Sequence, residues 1–509
     1  MFKRNLLIFC IVVLLISSYS TSVLALSISI TGQNEARYAR GSQVGFEDAG
    51  SYSYFENYLE FNLNVEKFRF YLRQGYQLPS EFSDFQTGIN AYDKRYIQYT
   101  DDHFSIRGGD FYDIWGQGLL FGNVELRELN IDSGLEGLFV ESSFLNFEAA
   151  AFRGTEQDEN NESVESAEGV YLSHDLPFDV LLGGSIVRLD ENERHPIILR
   201  SGLELSYELG PFSLYSAYMS DELDLDPVKY HSGFYMNSTV YGSGWGLLGE
   251  YKNYRLYTHD GDLSLQYPPT AIPEATMHLL DSHPRTVLFN DDVGYQFELT
   301  LSHEDWNAIL NFNQSSEHDD QSLIPSLQEE MSPYRSLFVQ IERYPYDGDR
   351  FVLQSGWNED VTFTKTATGG YSVWYQRFGI GGIYERSFSE KFDISTDMQV
   401  MMVNNHGIDH KYWEEYFSVS CIIQPNVTLT GSIERSEDVD EDGGLKWKTG
   451  TIGGEGRYWP SMETSIEMSQ SHKVRVFLGH ERGGLRCTGG SCRWVNPFKG
   501  VKIDMISQF

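Results

Sequence analysis

Long hydrophobic runs are missing from the 509-residue chain beyond its first 25 residues, and the mean hydropathy is -0.38. A membrane-spanning helix needs about 20 predominantly apolar residues, so none is predicted after residue 25. Helical periodicity of useful length is missing as well. These absences do not exclude a transmembrane β-barrel, because only every second residue of a barrel strand faces lipid.

Basic residues are scarce, with 38 Lys and Arg against 74 Asp and Glu and a formal net charge of -36. Nucleic acids require a basic surface, so this balance excludes them as partners. Aromatic residues are abundant instead, at 14% of the chain. Aromatic girdles use such residues in quantity, although a large secreted β-sandwich would share the feature.

Cysteine is also scarce, with four residues in the chain. Cys487 and Cys492 flank a turn-prone Thr-Gly-Gly-Ser segment, and in an exported protein such a pair is expected to form a local disulfide. A metal site is the weaker alternative, because two thiolates without nearby partners are an incomplete zinc set.

The start of the chain has the pattern of a secretory signal peptide. Lys and Arg precede a short apolar run from Leu6 to Ile16, and residues 23–25 form a Val-Leu-Ala cleavage pattern. We expect residues 1–25 to be removed and residues 26–509 to form the mature protein. A retained N-terminal anchor is the alternative.

Alternation of apolar and polar residues with period two recurs along the mature chain. Leu59, Phe61 and Leu63 alternate with Glu60 and Asn62, which predicts a strand with one apolar and one polar face. The same pattern is found in segments 203–209, 295–302, 306–313 and 427–434. A soluble sandwich and a membrane barrel would both show it.

Two further features favour the barrel. Short turns at 66–67 and 210–211 alternate with long polar connections at 154–168 and 438–444, as short periplasmic turns and long external loops do. The last strand ends on Phe509, which resembles the signal that barrel-assembly machinery reads. The sequence therefore predicts one all-β, antiparallel transmembrane barrel of about 22 strands, within a range of about 20 to 24. It would lie in the bacterial outer membrane, in contact with the lipid bilayer and lipopolysaccharide.

Two stretches lack the alternation, Tyr112–Ser133 and Gln266–Asp292. A barrel of this size encloses an aqueous channel unless something fills it, and we expect no separate plug domain before the first strand. The two stretches could fold inward as a constriction, or they could form ordered external loops. The sequence leaves both alternatives open.

The polar faces of the strands provide candidate lumen-lining residues. Such an acid-leaning lining would favour cations or polar neutral solutes over anions, although opposed charges could instead pair with one another. The candidates are Glu60, Glu66, Arg69, Arg73, Glu204, Glu208, Glu298 and Glu434.

One motif has the pattern of a cation site. Asp438, Asp440 and Asp442 are followed by Gly443, and alternating carboxylates before a glycine are typical of calcium loops. The position of the last EF-hand ligand is Thr449, so the full motif is absent. A weakly bound calcium ion or a solvated acidic loop are the two interpretations, and no other cofactor is predicted.

Several segments resemble a known family. GDFYDIWGQGLLF, HLLDSHPR and the ending HERGGLRCTGGSCRWVNPFKG are similar to a family of large bacterial outer-membrane barrels that is classed as a domain of unknown function. The resemblance covers nearly the whole mature chain. It implies the fold and the compartment and supplies no activity.

The leading functional hypothesis is a channel or substrate-selective porin for small polar or cationic solutes. The alternative is a surface-exposed binding or assembly protein anchored by its barrel. No histidine has a catalytic partner at motif spacing, so an outer-membrane hydrolase is the weakest of the three hypotheses. The oligomeric state is not predicted.

Overall fold

The structure is a computed structural model in which the chain is almost entirely β. It describes residues 27–43, 51–78, 81, 90–127, 131–157, 163–190, 197–223, 231–259, 262–271, 276–283, 285, 289–320, 322–345, 348–366, 369–407, 409–438, 445–448, 455–488, 491–495 and 497–509. No helix among these residues is long and apolar enough to span a membrane.

Within the described residues, 24 strands form one closed antiparallel barrel. In chain order the strands are β1 Ile28–Gln43, β2 Ser51–Val65, β3 Phe68–Gln77, β4 Asn90–Thr100, β5 Phe104–Phe111, β6 Leu135–Phe144, β7 Phe147–Gln157, β8 Ser163–Leu176, β9 Val180–Asp190, β10 Ile197–Leu209, β11 Phe212–Leu223, β12 His231–Gly242, β13 Trp245–Arg255, β14 Asp292–His303, β15 Trp306–Ser316, β16 Tyr334–Arg343, β17 Asp349–Thr366, β18 Gly369–Ser389, β19 Phe392–Asn405, β20 His410–Ile423, β21 Val427–Ser436, β22 Glu455–Ser469, β23 His472–Glu481 and β24 Phe498–Gln508.

Each strand pairs with its neighbours in sequence, and β24 pairs back onto β1 from Gln33↔Gln508 to Gln43↔Phe498. A short strand, Leu445–Lys448, adds to β22 without entering the ring. The predicted all-β barrel is therefore confirmed, with a strand number at the upper end of the predicted range.

One predicted connection is wrong. Residues 154–168 were expected to form a long loop because the segment is rich in glutamate, but most of them belong to β7 and β8. Their backbones pair at Thr155↔Ser166 and Glu156↔Glu165. Acidic side chains are compatible with strands that extend beyond the lipid-facing band, since only the band itself must be apolar.

The outer face of the barrel carries a belt of exposed apolar side chains. In β2, Phe61 is exposed while its neighbour Glu60 lies opposite Arg73 of β3 on the inner face. Soluble monomers rarely expose apolar patches larger than a few hundred Å², so a belt around the whole ring is a lipid-facing surface. Further members of the belt are Ile97, Ile186, Leu203, Phe297, Phe351, Phe417 and Ile503.

The two ends of the barrel differ. The turns at one end, which include 66–67 and 210–211, have two to five residues. The longest connections, 112–134 and 256–291, both lie at the other end. This arrangement fits short periplasmic turns and long external connections.

Phe509, the predicted assembly signal, lies at the short-turn end beside β1. Its backbone N–H donates to the Gly32 carbonyl at 2.9 Å, and its own carbonyl accepts from the Gly32 N–H at 2.7 Å. Its ring lies 6.0 Å from that of Phe61. Recognition of Phe509 by the barrel-assembly machinery stays a prediction.

The two cysteines near the C-terminus lie in a small hairpin formed by Gly484–Thr488 and Ser491–Val495. Its backbone register places Cys487 directly opposite Cys492. Directly opposed residues of an antiparallel pair have Cα atoms about 4.5 to 5.5 Å apart, which is within the range that a disulfide bridges.

We therefore predict that Cys487 and Cys492 form an intramolecular disulfide in the exported protein. Alkylation of the denatured, unreduced protein followed by peptide mass spectrometry should modify Cys421, which is a free cysteine in β20, and should leave the hairpin cysteines unmodified until a reductant is added. Modification of all three without reductant would contradict the prediction.

Candidate functional site

The connection between β5 and β6 enters the barrel. We call residues 112–134 the first inner segment; residues 128–130 lie outside the described part. Arg127 of this segment donates to Glu60 of β2 at 2.6 Å, and Arg73 of β3 donates to Glu125 at 2.8 Å. Leu119 of the same segment packs against Gly233 of β12. In the ring, β2 and β3 lie on one side of the pair β5–β6, and β12 lies on the other side. A connection between two adjacent strands reaches both sides only through the lumen.

The connection between β13 and β14 enters the barrel as well. We call residues 256–291 the second inner segment, of which 260–261, 272–275, 284 and 286–288 lie outside the described part. Its Ser264 carbonyl accepts from Arg200 of β10 at 3.1 Å, and its His283 contacts Glu414 of β20 at 2.9 Å. These partners are ten strands apart in the ring, so this segment crosses the lumen too. Of the two alternatives left open by the sequence, inward folding is the one observed.

The inner segments contact each other inside the barrel. The Tyr267 N–H donates to the Gly118 carbonyl at 2.9 Å, and the Gly122 N–H donates to the Leu265 carbonyl at 3.0 Å. Gly118 has a φ of 88° and lies directly against the Tyr267 carbonyl, a conformation and a distance that only glycine tolerates. The two segments therefore form one body.

The first inner segment is held mainly by apolar packing. Leu119, Leu120 and Phe121 are fully buried, and the Trp115 ring lies 5.2 Å from that of Phe152 in β7. Burial of one such side chain stabilises a structure by about 1.5–3 kcal/mol. The inner faces of β5 to β13 are correspondingly apolar around this segment, with buried Leu135, Phe139, Val187, Leu189, Ile198, Met219 and Tyr254.

Glycines on the inner face provide the space for this packing. A Cβ at Gly202 of β10 would overlap the Leu120 side chain, and a Cβ at Gly233 would lie 2.8 Å from Leu119 Cδ1. Both distances are shorter than carbon–carbon van der Waals contact. The strands are thus shaped to receive the segment.

The second inner segment packs in the same way on the opposite wall. A short helix, α1 (His278–Asp281), follows Met277, and Leu279 and Met277 are fully buried against Met401 of β19. A Cβ at Gly379 of β18 would lie 2.6 Å from Met277 Cε. A Cβ at Gly356 of β17 would overlap Leu280.

Buried charges fix the second inner segment to the wall. Arg200 and Asp221 of β11 form a two-pronged pair at 2.9 and 3.1 Å, and both side chains are fully buried. Arg200 also donates to the carbonyl of Ser264. Removing one partner of a buried pair costs about 3–5 kcal/mol, because the other charge is left uncompensated.

Three of the predicted lumen residues are among these anchors. Glu60 and Arg73 bind the first inner segment, as described above. Glu434 of β21 contacts His278 of the second segment at 3.2 Å and Arg482 of the connection after β23 at 2.6 Å. Their charges are compensated by protein groups.

Two other predicted residues have neutral partners. Glu204 of β10 accepts hydrogen bonds from the hydroxyls of Tyr171 and Tyr215, the latter at 2.7 Å. Glu298 of β14 accepts from Asn311 Nδ2 at 3.2 Å.

The remaining three of the predicted lumen-lining residues lie at the short-turn end of the barrel. Glu66, in the turn after β2, accepts from the Ser27 N–H at 2.8 Å. Arg69 donates to Asn62 Oδ1 at 2.7 Å. Glu208 is exposed one residue before the end of β10.

The predicted calcium site is described only at its first residue. The Asp438 N–H donates to Ser436 Oγ at 3.1 Å, whereas Asp440 and Asp442 lie outside the described residues. In the part of the chain that the structure covers, no three His, Cys, Asp or Glu side chains are grouped to hold a metal ion.

An acidic chamber of about 530 Å³ lies between the first inner segment and the short-turn end. None of the described residues that line it is lysine or arginine. Burial raises the pKa of the Asp113 carboxyl above its usual range. The carboxylate residues in the lining are Asp101, Asp102, Asp113, Glu141, Glu148 and Glu204.

Of the chamber residues, only Glu204 was among the sequence candidates. Glu141 and Glu148 occupy inner-face positions of β6 and β7, in register with Ala150 and Ser143 across the strand pair. A strict count of alternate positions could have found them. Apolar residues on both faces of these strands, such as Phe139 beside Leu138, obscured the pattern.

Solved structures of other barrels align with most of the chain at low identity, and no curated protein matches its sequence. The siderophore receptor PirA from Pseudomonas aeruginosa aligns at 9% identity and a TM-score of 0.46, over 94% of this chain and 80% of the receptor. A BenF-like porin from Pseudomonas fluorescens aligns at 5% identity and a TM-score of 0.34, over 79% of this chain and 99% of the porin. The sequence as a whole gives the assignment: the chain belongs to the family of unknown function DUF6029, whose profile matches residues 1–509.

Proposed function

We propose that the protein is a gated, substrate-selective channel of the outer membrane for small cationic or polar solutes. The observation that carries the proposal is the acidic chamber, which lies inside a membrane-spanning barrel directly below a body formed by the two inner segments. The chamber would receive the solute, and the inner segments would control its passage.

The charge of the chamber supports selection for cations. Its lining has six Asp or Glu, of which Asp101 pairs with Lys67, and among the described lining residues there is no Lys or Arg. Charges of one sign within low-dielectric walls raise the local concentration of counter-ions. The hydroxyls of Tyr171 and Tyr215 donate hydrogen bonds to Glu204, and as neutral groups they do not compensate its negative charge. Anions would therefore be disfavoured at this point of the pathway.

The packing of the inner segments supports gating. A path along the lumen has to pass the body that they form, whose side chains are buried against both walls. In this proposal the body closes the lumen, conduction requires it to shift, and its contacts set the population of the open state. The glycine positions that receive Leu120 and Leu280 are the places where the closed arrangement can be weakened without changing a charge.

Substitution of Gly202 and Gly356 by valine is predicted to open the channel. The new side chains would overlap Leu120 and Leu280, and overpacking of this kind costs about 1–3 kcal/mol, which would favour displacement of the inner segments. In planar lipid bilayers the wild type should show rare, small conductance steps, and the Gly202→Val/Gly356→Val variant should conduct at least several-fold more.

Gly246→Val is the matched control. Gly246 lies on the inner-face register of β13, and no atom lies within 4 Å of the position of its Cβ, so valine there should leave the conductance unchanged. A double variant that folds and remains as closed as the wild type would contradict the gating proposal. It would favour the anchored binding protein as the alternative.

Neutralising the chamber is predicted to reduce cation preference. In the conducting variant, Glu141→Gln/Glu148→Gln removes two carboxylates from the lining while keeping the side-chain volumes. The reversal potential in a potassium chloride gradient should shift toward that of a non-selective pore.

Glu330→Gln, an exposed position in the connection between β15 and β16, removes a charge of the same sign away from the lumen and should leave the reversal potential unchanged. An equal shift in both variants, or none in either, would count against the chamber as the selecting element.

A further inference from the structure

The connection between β15 and β16 folds in the opposite direction from the inner segments. We call residues 317–333 the outer flap; Gln321 lies outside its described part. The flap is tied to its own base, where the Glu317 N–H donates to the Met331 carbonyl at 2.8 Å and the Ser326 N–H donates to Ser316 Oγ at 2.8 Å. It is therefore an ordered element with a fixed position.

The flap lies on the outside of the barrel wall. On the outer face its contacts are with Tyr251, Asn253 and Arg255 of β13, which alternate with the inner-face residues Lys252 and Tyr254, both fully buried. At its base the flap also contacts the second inner segment, where Arg285 Nη2 donates to the Ser332 carbonyl at 2.8 Å and the His318 N–H donates to Asp291 Oδ1 at 3.0 Å. The Tyr251 hydroxyl donates to the Leu323 carbonyl at 2.8 Å. Arg255 Nη2 donates to the Asp320 carbonyl at 2.6 Å, and Asn253 Oδ1 lies 3.2 Å from His318 Nε2. Three successive outward side chains thus hold the flap.

The height of the contact places the flap within the lipid-facing belt. Tyr251 is six residues from Trp245, which begins β13 at the short-turn end. At about 3.3 Å per residue this separation is about 20 Å along the strand, or about 15 Å along the barrel axis for a strand tilted by about 40°. The apolar band of an outer-membrane barrel is about 25 Å tall. With Trp245 taken as its lower edge, the Leu323 carbonyl is bound below its upper edge.

Large apolar side chains project from the flap at this height. Leu323 and Ile324 are each 69% exposed and Leu327 is 59% exposed, while Pro325 between them is buried. The belt residue Phe297 is exposed on the neighbouring strand β14, two residues from Tyr295, which pairs with Tyr251. A loop that met only water would gain nothing from three such side chains.

We propose that the outer flap inserts Leu323, Ile324 and Leu327 into the acyl chains of the outer leaflet, as a lipid-binding element beside the barrel. The occupant is lipid, because the surface is continuous with the lipid-facing belt and is fixed to it by Tyr251, Asn253 and Arg255. This inference is independent of the proposed channel function.

The test is collision accessibility of a nitroxide label. The label is attached at Ile324→Cys in the full chain, with the native cysteines changed to serine, after reconstitution into phosphatidylethanolamine–phosphatidylglycerol vesicles. We expect a several-fold lower collision rate with an aqueous nickel chelate than for a label at Glu330→Cys, an exposed site in the same flap. Collision with oxygen, which concentrates in lipid, should be higher at 324 than at 330.

Two outcomes would overturn the proposal. Equal nickel accessibility at the two positions would place Ile324 in water, and protection of Ile324 from both reagents would mean that a protein surface, such as a second copy, covers it. Should the cysteine-free chain fail to fold, Leu323→Trp in the native chain gives an independent measurement. Brominated lipids should then quench the added fluorescence, and the absence of added quenching would reject lipid contact.

Discussion

Pairing of β1 with β24 is the constraint on which the rest of the structure depends. In hydrocarbon an unpaired backbone N–H or C=O costs several kcal/mol, and this pairing leaves the ring without an edge strand. Closure also divides every strand into an outer and an inner face. The outer belt, the inner segments and the acidic chamber all follow from that division, because each residue belongs to one side of the wall.

Closure of 24 strands creates a lumen that wall side chains cannot fill, since about eight strands already give an interior that they just fill. The chain fills the space with its own connections. Glycines at positions 202 and 356 leave space on the inner face for Leu120 and Leu280. Arg200, which pairs with the buried Asp221, binds the second inner segment at the Ser264 carbonyl. The acidic chamber is a cavity that remains beside the first inner segment.

The sequence was sufficient for the barrel and its two ends, because alternation as in Leu59–Leu63 and turns such as Gly210-Pro211 are local signals. It also located both inner segments, through their loss of alternation. It could not determine their direction, since Leu119 and Leu279 become core residues only through strands far away in sequence. For the same reason the sequence left open whether Glu60, Arg73 and Glu434 act as filter charges or pair with other groups, and in the structure they are bound to Arg127, Glu125 and His278.

The most direct test of the account is a cysteine cross-link between an inner segment and the wall, measured in native outer membranes. The position of a Cβ at residue 202 is 3.1 Å from Leu120 Cγ, which is one bond from Leu120 Cβ. The Cβ atoms of Leu120→Cys and Gly202→Cys would therefore be close to the separation of about 3.5 to 4.5 Å that a disulfide spans. If the first inner segment lies inside the lumen, mild oxidation should cross-link this pair efficiently within one chain. A folded, membrane-inserted protein that forms no such cross-link would contradict the account.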